Sequence, residues 1–98
     1  MVITILEARV EPDKAPMLEA AYRQGIEQLD EGITQTFLLR DFKDSHIWRI
    51  ITVWQSRDAL EQMRRSGETP RGVVMFRAAD AEPTLSVFDV MAHALAPT

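Results

Sequence analysis

Stretches of alternating apolar residues and stretches of helically spaced apolar residues divide this chain into strands and helices. The clearest stretch is 46–55, HIWRIITVWQ, which is rich in β-branched and aromatic residues and contains no glycine or proline. Successive side chains point to opposite faces of a strand, and the residues on both faces of this one are largely apolar. The strand should therefore be covered on both faces and lie centrally in its sheet. Ser56 follows as an N-cap and Asp58 suits the positive end of a helix dipole, so a helix should begin directly after the strand.

The same periodicities predict further elements before this strand and after it. A helix should begin at Asp13 after the break at Pro12, run to about Glu31, and end at Gly32 in a left-handed cap. Apolar residues recur along it at helical spacing. The further strands are predicted over 2–10, 33–43 and 84–92, with a tight turn at Asp44 and Ser45 leading into the central strand.

The second half of the chain contains two short helices in this interpretation. The helix that Ser56 caps should stop at Gly67. Thr69 then offers a capping hydroxyl and Pro70 suits the first helical position, which predicts a further helix over about 71–79. Residues 94–98 are expected to form a frayed tail.

The predicted order of elements, βαββαβ, is typical of a ferredoxin-like α+β domain with a four-stranded antiparallel sheet and helices on one face. A length of 98 residues suits a single domain over 1–98. The first strand is apolar on both sides, with Ile3 and Ile5 on one face and Leu6 and Val10 on the other. Helices can cover only one of these faces, so we expect a homodimer in which two sheets pack face to face.

Composition and charge exclude several function classes. The formal net charge of −4 and the scattered arginines argue against nucleic acid as a partner. The chain has no cysteine, which excludes disulfides and thiolate metal sites and fits a reducing cytoplasm. No basic, apolar leader and no bilayer-length apolar run are present, so a cytoplasmic protein without membrane contact is expected. Two histidines among scattered carboxylates show no metal-ligand spacing.

Several motifs resemble those of the antibiotic biosynthesis monooxygenase (ABM) family. The segment Thr52-Val53-Trp54-Gln55-Ser56, with Ala59-Leu60 soon after, is similar to the junction of strand and helix in that family. The likeness extends along nearly the whole chain, from Glu7-Ala8-Arg9-Val10 to Phe88-Asp89-Val90. The resemblance implies a dimeric α+β barrel, in agreement with the architecture derived from the residue pattern.

The resemblance also implies a choice of activities. One branch of the family oxidises phenolic polyketides and quinols without metal or prosthetic group, because the substrate anion itself supplies electrons to O₂. Another branch degrades haem and carries an Asn late in the first strand, a Trp in the second helix and a His at the next helix. These positions correspond here to Ala8, Glu61 and the neighbourhood of Arg71, none of which matches.

A cofactor-independent monooxygenase of a small aromatic hydroxy or quinol compound is therefore favoured. A non-catalytic dimeric protein that binds a small apolar molecule is the alternative, and a haem-binding protein is a more distant one.

Such an oxygenase needs aromatic walls and a few polar groups in a pocket between sheet and helices. Tyr22 and His46 are the candidate catalytic residues, although a buried tyrosine that merely needs a partner and an idle histidine at a strand end are equally simple interpretations. The candidate substrate-binding residues are Trp48, Trp54, Arg71 and Phe76, each of which could instead serve packing or solvation. Arg49 is expected to pair with Glu7 or Asp89 in a structural role.

Overall fold

The computed structural model describes residues 1–97 and has the element order βαββααβ. This order confirms the ferredoxin-like α+β fold, with the crossover between the third and fourth strands divided into two helices. The tail beyond residue 90 forms no regular element as far as residue 97, and Thr98 of the predicted tail lies outside the described residues. The elements are β1 Val2–Arg9, α1 Ala15–Gly25, β2 Ile33–Arg40, β3 Ile47–Trp54, α2 Arg57–Arg65, α3 Arg71–Ala78 and β4 Thr84–Asp89.

The four strands form one antiparallel sheet in the order β2-β3-β1-β4. The segment predicted to be central is indeed an inner strand, β3, which pairs with β1 on one side and β2 on the other. In this register Ile51 lies opposite Ile5 on β1 and Phe37 on β2. Because side chains alternate across a strand, all three project from the face that carries no helix.

The other face of the sheet carries the core, which the helices cover. α1 and α3 pack against each other, and Leu18 of α1 and Phe76 of α3 are both completely buried. Trp48 and Ile50 of β3 belong to the same cluster. A second, smaller cluster joins the ends of β1 and β3 to Leu60 of α2. The amphipathic stripes of the helices therefore meet the helix-facing side of the sheet, as the spacing predicts.

Helix boundaries follow the capping signals in part. Ser56 caps α2 as predicted, since its Oγ accepts a hydrogen bond from the Ala59 N–H at 3.1 Å. α3 begins at Arg71 as predicted, but Pro70 is extended and occupies the N-cap position itself, without a capping bond from the side chain of Thr69. α1 likewise has Lys14 rather than Asp13 at its N-cap. Proline within the first turn suits that helix, since its missing N–H would be unpaired there.

α1 ends at Gly25, six residues before the predicted end at Glu31. The side chain of Arg71 accounts for the early end of α1, because its guanidinium donates to the carbonyl oxygens of Gly25 and Gln28. The same side chain lies 3.4 Å from a carboxylate oxygen of Asp30. Carbonyl groups that a longer helix would pair internally are thus bonded to a side chain of α3. This tertiary contact overrides the apolar spacing that predicts further helical turns.

The face of the sheet without helices carries exposed apolar side chains together with one ion-pair cluster. Phe37 and Phe88 are 44% and 50% exposed on this face. Arg49 donates to Glu7 at 2.6 Å and to Asp41 at 2.9 Å, so the predicted pairing with Glu7 is present. Its other predicted partner, Asp89, instead bonds Arg57. We call this surface the open sheet face, defined by Ile3, Ile5, Glu7, Phe37, Leu39, Ile47, Arg49, Ile51, Val53 and Phe88.

Acid should destabilise the fold through the turn that joins β2 to β3. The Arg49 guanidinium, aided by the backbone N–H groups of Asp44 and Lys43, holds the pKa of Asp41 below its ordinary value. Arg9 likewise lowers the pKa of Asp44. A carboxyl with a lowered folded-state pKa contributes stability that is present above its unfolded value and is lost as pH falls through the folded value. We expect the urea midpoint to be steady from pH 7 to about 5 and to fall below about pH 4, near the pKa of an unfolded aspartate.

The variant Asp41→Asn isolates this effect from the titration of other carboxylates. Its side chain keeps an oxygen that accepts backbone hydrogen bonds but carries no charge for Arg49. The variant should therefore be less stable at pH 7 and lose less stability between pH 5 and pH 3 than the unaltered chain. Equal acid losses in the two proteins would contradict a role for the Asp41–Arg49 pair.

Candidate functional site

A cavity of about 460 Å³ lies between the helix-facing side of the sheet and the helices. This volume is within the range of small-molecule sites, roughly 300–1,000 Å³. The sheet supplies its floor, the end of α1 one wall, and α2 with the start of α3 the other wall. Its lining includes Thr4, Leu6, Tyr22, Ile26, Leu29, Thr36, Ile50, Thr52, Trp54, Leu60, Met63, Arg71 and Met75.

Two aromatic residues present polar tips to this cavity. Tyr22 projects from α1, is 9% exposed, and donates its hydroxyl hydrogen to Thr36 Oγ1 at 3.2 Å. Trp54 at the end of β3 donates from Nε1 to Thr4 Oγ1 at 3.1 Å. Both rings are held by packing on one side and by a hydrogen bond at the tip. Their positions in the cavity are therefore defined before any ligand enters.

Three threonines form a row across the floor, and the sequence analysis missed this feature. Thr52 of β3 lies directly opposite Thr4 of β1 and directly opposite Thr36 of β2. Cross-strand neighbours in these positions have Cβ atoms about 4.5–5.5 Å apart. The residues are far apart in sequence, so only the strand order together with the pairing register reveals the row. A register derived from the hairpin at 41–46 would have indicated the pairing of Thr36 with Thr52.

Charged groups gather at the mouth of the cavity rather than inside it. Arg71 binds two carbonyl groups at the end of α1 and approaches Asp30, so most of its donors are already committed. Arg77 donates to both carboxylate oxygens of Glu82 and holds the pKa of that carboxyl below its usual range. The mouth is therefore charged in both signs, while the interior combines apolar side chains with neutral hydroxyls.

The structure brings together three of the six residues proposed from the sequence. Tyr22, Trp54 and Arg71 all line the cavity. Trp48 lies in the main core with the Arg40 guanidinium 5.9 Å from its ring centroid, and Phe76 is completely buried. Neither of these two belongs to the cavity lining.

His46 lies at the opposite end of β3 from Trp54, beside Asp44. Its Nδ1 is 3.5 Å from Asp44 Oδ1, and its backbone N–H bonds the same carboxylate. Ile50, the nearest cavity residue on that strand, lies four positions after the histidine, which is about 13 Å of extended chain. A direct role for His46 in the cavity stays a prediction that a single variant tests.

The donor atoms around the cavity do not fit a histidine-ligated haem. Neither His46 nor His93 belongs to the lining, and a proximal imidazole is the usual iron ligand in haem proteins of that type. Within residues 1–97, no group of three His, Cys, Asp or Glu side chains is placed to hold a metal ion. None of the helices in that range has the length and apolarity needed to cross a bilayer.

The fold and the cavity together define a ferredoxin-like α+β protein with a cavity of small-molecule size between sheet and helices. The family model of antibiotic biosynthesis monooxygenase matches residues 1–73, and the chain belongs to that family. A search of curated proteins finds no match.

Solved structures with the same fold include an oxygenase, a protein with porphyrin bound in its active site and a conserved protein. A variant of SnoaB, a cofactor-independent oxygenase from Streptomyces nogalater, is 19% identical, with 94% of each chain covered and a TM-score of 0.68. A variant of MhuD with two manganese protoporphyrin IX bound per active site is 18% identical, with 98% of this chain and 100% of that chain covered and a TM-score of 0.73. A conserved protein from Methanosarcina mazei Go1 is 16% identical, with 89% of each chain covered and a TM-score of 0.69. At these identities the likeness shows the fold, and the activity must be argued from the cavity.

Proposed function

We propose that this protein is a homodimeric, cofactor-independent monooxygenase that oxidises a small aromatic hydroxy or quinol compound in the cavity between sheet and helices. The observation that carries the proposal is the cavity itself, about 460 Å³, with the tips of Tyr22 and Trp54 bonded to hydroxyls on its floor. Membership of the ABM family and the fold shared with a cofactor-independent oxygenase support the reaction class.

The lining suits a flat aromatic molecule that carries oxygen. Leu6, Ile50 and Met75 give apolar contact, and the ring of Trp54 gives a rigid aromatic surface. Neutral hydroxyl groups can bond a phenolic oxygen without the desolvation cost of a buried charge. Hence the proposed site favours a fused phenol or hydroquinone over a sugar or a nucleotide.

In the proposed reaction the substrate phenolate gives its electrons to O₂. For a phenol with a free para position, one oxygen atom of O₂ enters the ring as a carbonyl and a quinone forms. The ring hydrogen and the hydroxyl hydrogen leave with the second oxygen atom as water. The protein binds the ring, keeps water from the reactive carbon and stabilises the negative charge on oxygen. Tyr22 is the proposed catalytic residue, since its hydroxyl lies within the cavity and is already oriented by Thr36.

The second copy of the chain is part of the proposal because the open sheet face needs a cover. Three strands of eight residues and one of six, about 4.8 Å apart and with a rise of about 3.3 Å per residue, give an area of about 500 Å². Burying this area on each of two protomers removes about 1,000 Å², which is near the lower limit for a specific interface. Exposed Phe37 and Phe88 on this face support the same conclusion. A cytoplasmic location is also proposed, in keeping with a chain that has no cysteine.

Oxygen consumption over a panel of naphthols and hydroquinones tests the reaction. We expect at least one compound to be consumed with one O₂ used per quinone formed. Tyr22→Phe should lower kcat/KM about 10-fold or more, because the variant keeps the ring but loses the hydroxyl that orients the substrate oxygen. His46→Ala in the same assay tests the role predicted for that histidine from the sequence.

Binding without turnover separates the two interpretations that the family allows. If compounds of the panel bind with micromolar affinity while none consumes oxygen, the protein is a non-catalytic binding protein and the oxygenase proposal is wrong. Equal turnover in the Tyr22→Phe variant would remove Tyr22 from the mechanism. Haem titration is a separate control. The cavity has no histidine in its lining, so we expect no shift of the Soret absorbance band when haem is added.

A further inference from the structure

Residues 26–32, which we call the mouth strap, connect α1 to β2 along the mouth of the cavity. Ile26, Leu29 and Asp30 of this segment belong to the cavity lining. Ile26 and Leu29 are nevertheless 38% and 44% exposed, and neither belongs to the buried clusters of the fold. Two large apolar side chains thus stand at the rim of the cavity without a place in the core that residues 1–97 form.

The backbone of the mouth strap is bonded at its ends and little between them. Next to α1, the first two N–H groups of the strap donate to carbonyl groups of the helix. At the other end, the carbonyl of Gly32 accepts a hydrogen bond from the N–H of Gln55. Within residues 1–97, no N–H group of residues 28–32 donates to a backbone carbonyl. A segment with so few backbone bonds opens locally at a small cost in free energy.

Arg71 supplies every side-chain hydrogen bond and ion pair that reaches the mouth strap within residues 1–97. Its guanidinium donates to the carbonyl of Gln28 in the middle of the strap and lies 3.4 Å from a carboxylate oxygen of Asp30. The same group donates to the last carbonyl of α1. One planar guanidinium therefore joins α3 to the strap and to the helix before it. Because this side chain is 46% exposed, its bonds contribute little stability and can break and re-form.

We propose that the mouth strap closes over an apolar ligand in the cavity and that Arg71 is the positioning residue that latches it. A small-molecule pocket buries about 70–90% or more of its ligand, which requires cover at the mouth. In the closed form Ile26 and Leu29 supply apolar surface for that cover. The inference rests on the proposed function only for the aromatic class of the ligand. It gives Arg71 a task other than the substrate contact that the sequence predicts.

A latch and a ligand contact predict different binding kinetics. None of the bonds between Arg71 and the strap involves a ligand, so the latch acts in the free protein and in the complex alike. Entry and release both require the open strap. Loss of the latch should therefore raise the association and dissociation rate constants together, with a smaller change in Kd. Loss of a ligand contact would raise the dissociation rate constant alone.

Stopped-flow fluorescence with 1-naphthol as the ligand measures both rate constants. The variant Arg71→Met keeps a long unbranched side chain but lacks the guanidinium. Both rate constants should rise about 5-fold to 10-fold in this variant, the effect of losing an exposed ion pair with its hydrogen bonds. Arg65→Met is the matched control, because Arg65 is exposed at the end of α2 and lies outside the cavity lining. The control should have the rate constants of the unaltered protein.

Hydrogen exchange followed by NMR shows where the ligand acts. Bound 1-naphthol should slow the exchange of the Ile26 and Glu27 amides, because closure of the strap protects the bonds that these amides make to α1. The amide of Asp44 is the internal control, since it bonds Asp41 in the turn between β2 and β3, away from the cavity lining. Its exchange should not change when the ligand is added.

Leu29→Ala tests the apolar cover separately from the latch. The truncation removes surface that becomes buried when the strap closes on the ligand, so the affinity for 1-naphthol should fall about 3-fold to 10-fold. Met17→Ala is the control, because Met17 has a similar exposure of 49% on α1 and lies outside the cavity lining. This control should bind 1-naphthol as the unaltered protein does. Circular dichroism establishes that each variant is folded.

The inference is overturned if 1-naphthol leaves the exchange of the strap amides unchanged. It is equally overturned if Arg71→Met leaves both rate constants unchanged, or raises only the dissociation rate constant, which would make Arg71 a ligand contact. None of these outcomes depends on turnover. Protection of the strap together with no oxygen consumption on any naphthol would support the strap and reject the oxygenase. Oxygen consumption without protection of the strap would have the opposite meaning.

Discussion

Replacing Ile51 with lysine is expected to raise the dissociation constant of the proposed dimer about 100-fold or more, because it would place an unpaired charge in the interface that we propose at the open sheet face. Ile51 is at the middle of the open sheet face, opposite Ile5 on one side and Phe37 on the other. The ion-pair cluster around Arg49 contains two carboxylates, but both already bond that arginine. A penalty of about 3 kcal/mol corresponds to about 100-fold in Kd.

Sedimentation equilibrium over nanomolar to micromolar protein measures this change. Gln24→Lys is the control, since it adds the same charge at an exposed position of α1 away from both the cavity lining and the open sheet face. The control should dimerise as the unaltered chain does. A compact, stable monomer of the unaltered protein at micromolar concentration would contradict the dimer, and so would an Ile51→Lys variant that dimerises normally. Circular dichroism distinguishes dissociation from unfolding.

The strands of the sheet could be predicted because their signal lies in single segments of the chain, although the second and fourth end at Arg40 and Asp89, three residues earlier than predicted. β3 is apolar on both faces, which correctly indicates an inner strand. Ser56 is followed at once by a helix, and the bond from Ala59 N–H to its side chain is the contact that the residue type implies. Apolar residues on the second face of β1 and β3 predict an open sheet face, and that face exposes Phe37. Each of these inferences needs only neighbouring residues.

The end of α1 and the division between core and cavity could not be predicted in this way. Ile26 and Leu29 have helical spacing with Tyr22, yet they line the cavity beyond the end of the helix. Arg71, distant in sequence, bonds the carbonyl groups there. Local periodicity contains no information about such a partner.

The candidate aromatic residues illustrate the same limit. Trp48 and Trp54 share one face of one strand, but only Trp54 lines the cavity. Both positions require a large apolar residue. Which of the two tryptophans lines the cavity depends on how α1 and α3 cross the sheet. The threonine row was missed for a related reason, since its members lie on three strands and meet only through the register.

Gly32→Ala is expected to destabilise the protein by about 3 kcal/mol, through two separate costs. The backbone of Gly32 has φ of +92°, a left-handed conformation that costs an L-residue about 1–2 kcal/mol. A Cβ atom placed there would also lie 2.5 Å from the Cβ of Ala59 on α2. The carbonyl of Gly32 accepts a bond from Gln55 at 2.7 Å, so the backbone cannot move away without loss. Chemical denaturation measures the change.

Two further variants separate the costs of conformation and contact. Gly67→Ala has a similar φ of +75° with nothing within 4 Å of the added Cβ, so it should lose only about 1–2 kcal/mol. Removing the opposing methyl with Ala59→Gly costs about 1 kcal/mol of helix propensity by itself. In that background the further loss from Gly32→Ala should shrink to the value found for Gly67→Ala, because only the backbone strain is left. If the loss from Gly32→Ala is the same in both backgrounds, α2 does not pack against the entry to β2, and the wall of the cavity that α2 forms would have to be placed elsewhere.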